Sequence, residues 1–238
     1  MHIKMVTMRI AIIVAGIIAA AGVVPVVTAT ASPSSTGTTS TPIKTNNFAG
    51  YVAPPGFTSA QATFKLPKLT CDTFSTALTS DIDLIGPEGL DSEVGAFAQC
   101  GGQWTTYFFI NGHQTNSISV NSGDTITVTA SETLKLTELK IKDNTTGATN
   151  ALSGTGGAVT NILIGDEALN GPYSNIPPSR FTTQLFSKVT VGGKSLGSVN
   201  ATPANWVSGK TTWLSTGAIK GGNAFTIKFL HNAAREQP

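Results

Sequence analysis

The stretch that decides the fold is residues 81–111, DIDLIGPEGLDSEVGAFAQCGGQWTTYFFIN. Its apolar and alternating runs, at 81–85, 93–99 and 103–110, are separated by turns that contain glycine. Runs of this kind, rich in β-branched and aromatic residues, are typical of antiparallel strands. The stretch also contains the densest aromatic run of the chain, WTTYFF, and an acid within a turn, Glu88. We therefore expect any chemistry of the protein to lie here or on a strand that faces it.

The same alternation with a period of two continues through the rest of the chain. Residues 58–66, 125–130 and 224–230 alternate apolar or small side chains with polar ones. Polar turns, such as those at 121–124 and 192–193, separate the runs. No segment repeats at a fixed period. The sequence thus predicts an all-β protein in which two antiparallel sheets pack face to face.

The N-terminal segment predicts export. Residues 1–31 combine a basic start, an uncharged apolar run at 10–29 and a cleavage pattern of small residues, which is the layout of a secretory signal peptide. The alternative is an uncleaved anchor, because about 20 apolar residues can span a bilayer. We expect a secreted, extracellular protein, or one anchored by residues 10–29. The predicted organisation after the signal peptide is a flexible Ser/Thr/Pro leader at 32–44, a single β-sandwich domain at 45–232 and a C-terminal tail at 233–238.

The charge balance excludes some partners. The chain has 15 Lys and Arg residues against 13 Asp and Glu. Two of the basic residues, Lys4 and Arg9, belong to the predicted signal peptide, so the mature chain has 13 of each sign. No basic patch interrupts this balance. We therefore expect no nucleic-acid partner, and a membrane contact only if the N-terminal segment is retained.

The cysteines and histidines are few. Cys71 and Cys100, in an exported chain, most simply form one disulfide. The two histidines that follow the signal peptide, His113 and His231, lie far apart and lack the spacing of metal ligands. We expect no metal ion, no other cofactor and a monomeric protein.

Several short segments, taken in order, match one known family. They are NFAGY at 47–51, ATFKLP at 62–67, GPEG at 86–89, YFFIN at 107–111, SGDTI at 122–126 and DNTTG at 143–147. Together they resemble the glutamic peptidase (eqolisin) family, of the scytalidoglutamic and aspergilloglutamic type, and indicate a divergent member. The resemblance implies a concanavalin-like jelly-roll sandwich of two curved antiparallel sheets with a concave groove.

The resemblance also bears on catalysis. Enzymes of this family use a glutamine and a glutamate side by side in the groove. The glutamate is general base and then general acid, while the glutamine positions the water and stabilises the oxyanion. The matching positions here are Ala96 and Thr160, which can do neither. The resemblance therefore implies a lost catalytic pair, unless Gln99 with Asp166 or Glu167 forms a displaced one. The sequence predicts a strand at 158–164, with Asp166 and Glu167 in the loop that follows it.

The groove predicted from the resemblance has six residues. They are Glu88, Ala96, Tyr107, Phe109, Asn111 and Thr160. Glu88 is either a groove carboxylate or a turn acid bonded to backbone amides. The first functional hypothesis is an exported, catalytically degenerate relative that binds an extended peptide or glycan. The second is an active glutamic endopeptidase with the displaced pair, and the third is a carbohydrate-binding jelly-roll module.

Overall fold

The computed structural model describes residues 40–70, 77–87, 91–99, 102–167 and 178–230. Apart from short 3-10 turns, the regular elements in these ranges are all β-strands. The strands are β1 (Ile43–Thr45), β2 (Phe48–Ala53), β3 (Ser59–Lys65), β4 (Leu78–Ile85), β5 (Asp91–Ala98), β6 (Trp104–Ile110), β7 (His113–Val120), β8 (Thr125–Glu132), β9 (Thr137–Asp143), β10 (Thr149–Gly154), β11 (Asn161–Glu167), β12 (Thr183–Val191), β13 (Lys194–Ser195), β14 (Thr202–Ser208), β15 (Thr211–Thr216) and β16 (Phe225–Phe229).

Some predictions fall on residues outside these ranges. They are the signal peptide and most of the leader, the C-terminal tail, the disulfide between Cys71 and Cys100, and the role of Glu88. These stay predictions. Within the described ranges, no helix has the length and hydropathy that a membrane span requires.

Hydrogen bonding joins the strands into one continuous path. The order is β10-β9-β8-β3-β12-β16-β15-β14-β2-β11-β4-β5-β6-β7, with β13 beside β12 and β1 beside β14. The β1–β14 pairing is parallel and the others are antiparallel. The path folds back on itself, so that β4 contacts β3 and β8, and β5 contacts β8 and β9. The predicted all-β sandwich is confirmed.

Because the path of strands folds back on itself, it forms two layers, and the core lies between them. Alternate residues of each strand point inward, because successive side chains of a strand project to opposite faces. Ile82 and Val94 from one layer join Val128 and Phe186 from the other in the buried apolar cluster. Phe186 also stacks on Phe225, with ring centroids 4.9 Å apart and planes 3° from parallel. Full burial of each such side chain contributes about 1.5–3 kcal/mol.

Two predicted boundaries differ from the structure. The predicted leader ended at residue 44, but β1 begins at Ile43 and pairs with β14. The strand predicted at residues 158–164 is β11, Asn161–Glu167, so Asp166 and Glu167 end a strand and are not loop residues. Because Asp166 and Glu167 are successive residues of a strand, their side chains project to opposite faces of the sheet.

Candidate functional site

Acidic side chains occupy the face of β4, β5 and β11 that is turned away from the core. On β4, Asp81 and Asp83 alternate with the core residues Ile82 and Leu84. The five carboxyls on this side are named the acid face: Asp81, Asp83, Asp91, Glu93 and Glu167. Four of them are buried, and Asp81 has an exposed fraction of 0%. Asp91 is half-buried.

A row of glycines shapes the acid face. Gly50, Gly165, Asp81, Gly95 and Tyr107 pair in register across β2, β11, β4, β5 and β6. A Cβ atom on Gly95 would lie 2.4 Å from both the Asp81 Cβ and the Ser80 carbonyl oxygen. A Cβ on Gly165 would lie 2.1 Å from the Ala49 carbonyl oxygen. The close approach of these strands therefore requires glycine at both positions.

The Tyr107 side chain links two acids of the face. Its hydroxyl donates to Oδ2 of Asp81 at 2.8 Å and lies 3.2 Å from Oε2 of Glu93. A phenol has one proton, so it cannot donate a hydrogen bond to two carboxylates at once. Both contacts are satisfied when Glu93 is protonated and donates to the phenol oxygen. The network thus favours a retained proton.

Burial makes these acids harder to ionise. It raises the pKa of Asp81 to about 7, against the opposing effect of the hydrogen bond from Tyr107. Burial and then the negative charge of Asp81 raise the pKa of Glu93 to about 8. Burial, followed by repulsion from neighbouring acids, also raises the pKa values of Asp83 and Glu167 well above the usual range. No ion pair joins an acid-face carboxyl to a basic residue of the described ranges.

Asp166 lies on the opposite side of the sheet from Glu167. Its Oδ1 accepts a 2.8 Å hydrogen bond from the Ser80 hydroxyl, which in turn accepts one of 2.9 Å from Nε2 of Gln184. All three side chains are buried. Asp166 and Gln184 therefore belong to a polar link between the two layers and have no part in the acid face.

The predicted catalytic positions are not brought together. Ala96 is fully buried in the apolar core, so it is not a groove residue. Thr160 is exposed just before β11, and its hydroxyl donates to the Ile85 carbonyl oxygen at 2.9 Å. Gln99 is exposed beyond the end of β5. No hydrogen bond of the described residues joins Gln99 to Asp166 or Glu167.

Three other predicted groove residues lie on β6 or directly after it. Tyr107 and Phe109 point to the side of the acid face, where Phe109 pairs with Glu93. Asn111 is exposed in the turn between β6 and β7, with a φ of 49°. Tyr107 thus contacts the acids, Phe109 lies beside them, and Asn111 shapes the turn.

Sequence analysis missed Asp81, Asp83, Asp91 and Glu93 as site residues. A signal was present, because acids spaced two apart in an apolar strand share one face. The segments D-I-D-L-I and D-S-E-V-G both have this spacing. The displaced pair predicted from the resemblance includes only Gln99, Asp166 and Glu167.

The β-sandwich places the chain in a fold class that includes known peptidases. No family model and no curated protein matches the sequence. Among solved structures, scytalido-glutamic peptidase with a transition-state analog inhibitor is similar in fold, with a TM-score of 0.66 and 17% identity over 77% of this chain and 98% of that one. SCP-B, a member of the eqolisin family in complex with the tripeptide Ala-Ile-His, matches over the same shares with a TM-score of 0.64 and 17% identity. The fold is thus that of the glutamic peptidases.

Proposed function

We propose that this protein is an exported relative of the glutamic peptidases that lacks their Gln/Glu catalysis and binds an extended peptide along the acid face. The observation that carries the proposal is the absence of an amide partner for these acids. Among the described glutamines, Gln184 bonds to Ser80, Gln114 to Asn116 and Gln103 to Asn121. No described glutamine hydrogen-bonds to an acid-face carboxyl. In the part of the chain that the structure describes, no glutamine is thus paired with these acids as the family's oxyanion donor is with its glutamate.

The low exposure of the acids also supports a non-catalytic role. Asp81, Glu93 and Glu167 have exposed fractions of 0%, 7% and 5%. A general base must come within about 3 Å of the water that it activates, beside the scissile bond. A peptide bond has little access to carboxyls that are buried this deeply.

Aromatic rings beside the acids supply the anchoring surface in this proposal. Phe97 and Phe109 are half-buried on the same side as the acid face. Phe97 packs edge-on against Tyr107 with ring centroids 5.7 Å apart, which holds its position. Fixed, partly exposed aromatic rings are frequent anchors in peptide binding. The half-buried carboxyl of Asp91, the most exposed acid of the face, favours a peptide that contains lysine or arginine.

The test has two parts. In the first, the purified protein and its Glu93→Gln and Glu167→Gln variants are incubated with casein at acidic pH, with Glu138→Gln as control because Glu138 is an exposed acid on β9. We expect no cleavage by any of them. In the second, binding of labelled lysine-containing peptides is measured by fluorescence anisotropy. Phe109→Ala should weaken binding at least tenfold, and Leu134→Ala, at an exposed turn position, should not change it.

A second candidate function has its own observation. One oxygen from each of Asp81, Glu93 and Glu167 lies within 4.8 Å of the others. A protonated and an ionised carboxyl held together can activate a water and protonate a leaving amine, as in acid peptidases that use a carboxyl pair. Casein cleavage that is lost in Glu93→Gln and retained in Glu138→Gln would establish this function and overturn the first. Binding of glycans without peptides would instead favour a carbohydrate-binding module.

A further inference from the structure

Three carboxyls at one end of the acid face have the geometry of a cation site. Asp83 pairs in register with Glu93, and Asp91 is the next residue of β5 on the same face. One oxygen from each of the three lies within 4.8 Å of the others. Oxygens that bind one Ca²⁺ ion at about 2.3–2.6 Å lie at most about 5 Å apart. The three carboxyls can therefore contact a single ion without movement of the strands.

Unpartnered oxygens give a second and separate indication. Oδ1 of Asp83 and Oδ1 of Asp91 are both buried and have no hydrogen-bond partner among the described residues. Asp83 is 6% exposed, so solvent does not replace the missing partner. A buried acceptor without a partner costs free energy, and three adjacent carboxylates repel one another. One cation among them offsets both costs.

The type of donor selects the class of ion. The set contains only carboxylate oxygens, with no sulfur or imidazole. Such sites suit hard cations such as Ca²⁺, Mg²⁺ or Mn²⁺ and not Zn²⁺. Asp91 is half-buried, which gives an ion a route from solvent. The prediction of no metal rested on histidine and cysteine spacing, so it did not consider a site of this type.

We propose that Asp83, Asp91 and Glu93 together bind one hard divalent cation, with Ca²⁺ as the best fit, and that the ion stabilises the end of the β4–β5 pair. This cation site does not rest on the proposed peptide binding, because it needs only the three carboxyls and the strand register that sets them side by side. Water molecules complete the coordination of the ion.

Thermal unfolding of the purified protein in EDTA and in CaCl₂, MgCl₂ or MnCl₂ is the first measurement. We expect Ca²⁺ to raise the Tm by several degrees with saturation, since a ligand that binds only the folded state stabilises it. Isothermal titration should give one Ca²⁺ per chain. Tb³⁺ should show luminescence sensitised by Tyr107, whose hydroxyl lies 3.2 Å from Glu93, and Ca²⁺ should quench it by displacement.

The variants separate loss of binding from loss of folding. Asp83→Asn should weaken Ca²⁺ binding at least tenfold, because it removes one of the three carboxylate ligands. Asp91→Asn is the second variant, at a more accessible position, and Glu138→Gln is the control that should bind as the unchanged protein does. The proposal is overturned if none of the three cations changes the Tm or gives binding heat. It is also overturned if Ca²⁺ binding persists unchanged in both Asp variants.

Discussion

The Tyr107 hydroxyl reaches Asp81 from two strands away and donates a 2.8 Å hydrogen bond across Gly95. The two side chains can meet because the residue between them has no side chain. Adjacent strands lie about 4.8 Å apart, so a tyrosine on β6 needs a bare position on β5 to reach β4. The acid, the glycine and the phenol thus form one structural unit, and a change at any of them should affect the others.

Tyr107→Phe tests how much the hydrogen bond from Tyr107 to Asp81 stabilises the fold. The substitution keeps the ring but leaves the buried Asp81 oxygen without its donor, so it should destabilise the fold by about 2 kcal/mol, within the range for hydrogen bonds to charged groups. Tyr51→Phe is the matched control, since the Tyr51 hydroxyl donates to the neutral Gly217 carbonyl oxygen at 3.0 Å and its loss should cost about 1 kcal/mol. Urea unfolding measures both. Equal costs would show that the acid adds nothing to the Tyr107 bond.

Gly95→Ala tests the close approach of β4 and β5. The new Cβ would lie 2.4 Å from two atoms of β4, one of which is backbone, so the strands must separate. We expect a loss of about 3 kcal/mol or more, at the upper end of the costs of overpacking. Gly147→Ala is the control, because its φ of 83° is unfavourable for alanine but no atom lies within 4 Å of the added Cβ. That control should lose only about 1 kcal/mol. A similar loss in both variants would mean that the β4–β5 contact is readily relaxed.

Asp166→Asn tests the polar link on the core side. Burial raises the pKa of Asp166 well above the usual range, and the hydrogen bond from Ser80 only partly opposes this. The unfolded pKa is about 3.9, so the stability that this group contributes is fully present below that pH and is lost as the pH rises through the folded pKa. We therefore expect Asp166→Asn to unfold at higher denaturant concentration than the unchanged protein at neutral pH, and to lose this advantage in acid. Urea midpoints measured across pH give the result, and parallel pH profiles would contradict the prediction.

Asp143→Asn should show the opposite pH dependence. Burial raises the pKa of Asp143, but hydrogen bonds from Thr146 and Thr145 outweigh it and hold the pKa below the usual value. The Thr145 amide and the Thr146 hydroxyl donate to its two carboxylate oxygens at 2.8 and 2.6 Å. A lowered folded pKa gives stability above the unfolded value of about 3.9 that is lost as the pH falls through the folded pKa. The variant should therefore be less stable than the unchanged protein at neutral pH, with a difference that shrinks in acid. A difference that stays constant with pH would assign the effect to geometry and not to charge.

The sequence predicted the fold well and the site only in part. Alternation over β3, β8 and β16 predicted strands in the right places, because period-two burial is a local property of the chain. The edge strand β7 is exposed and polar along its first half, so it shows no alternation there. Tyr107 and Glu167 were named beforehand and both lie at the acid face. The other four acids were not named, although their spacing of two along each strand indicates that they share a face.

The residues themselves determined an all-β sandwich, its strand order along the chain and the resemblance to glutamic peptidases. Only the tertiary structure decided that Ala96 packs in the core while Glu93 and Gly95 face the other side. The physical reason is the period of the strand: a shift of one residue moves every side chain to the opposite face. The sequence predicted a strand at 93–99 where the structure has β5, Asp91–Ala98, and the pairing of Gly95 with both Asp81 and Tyr107 shows which residues face which side.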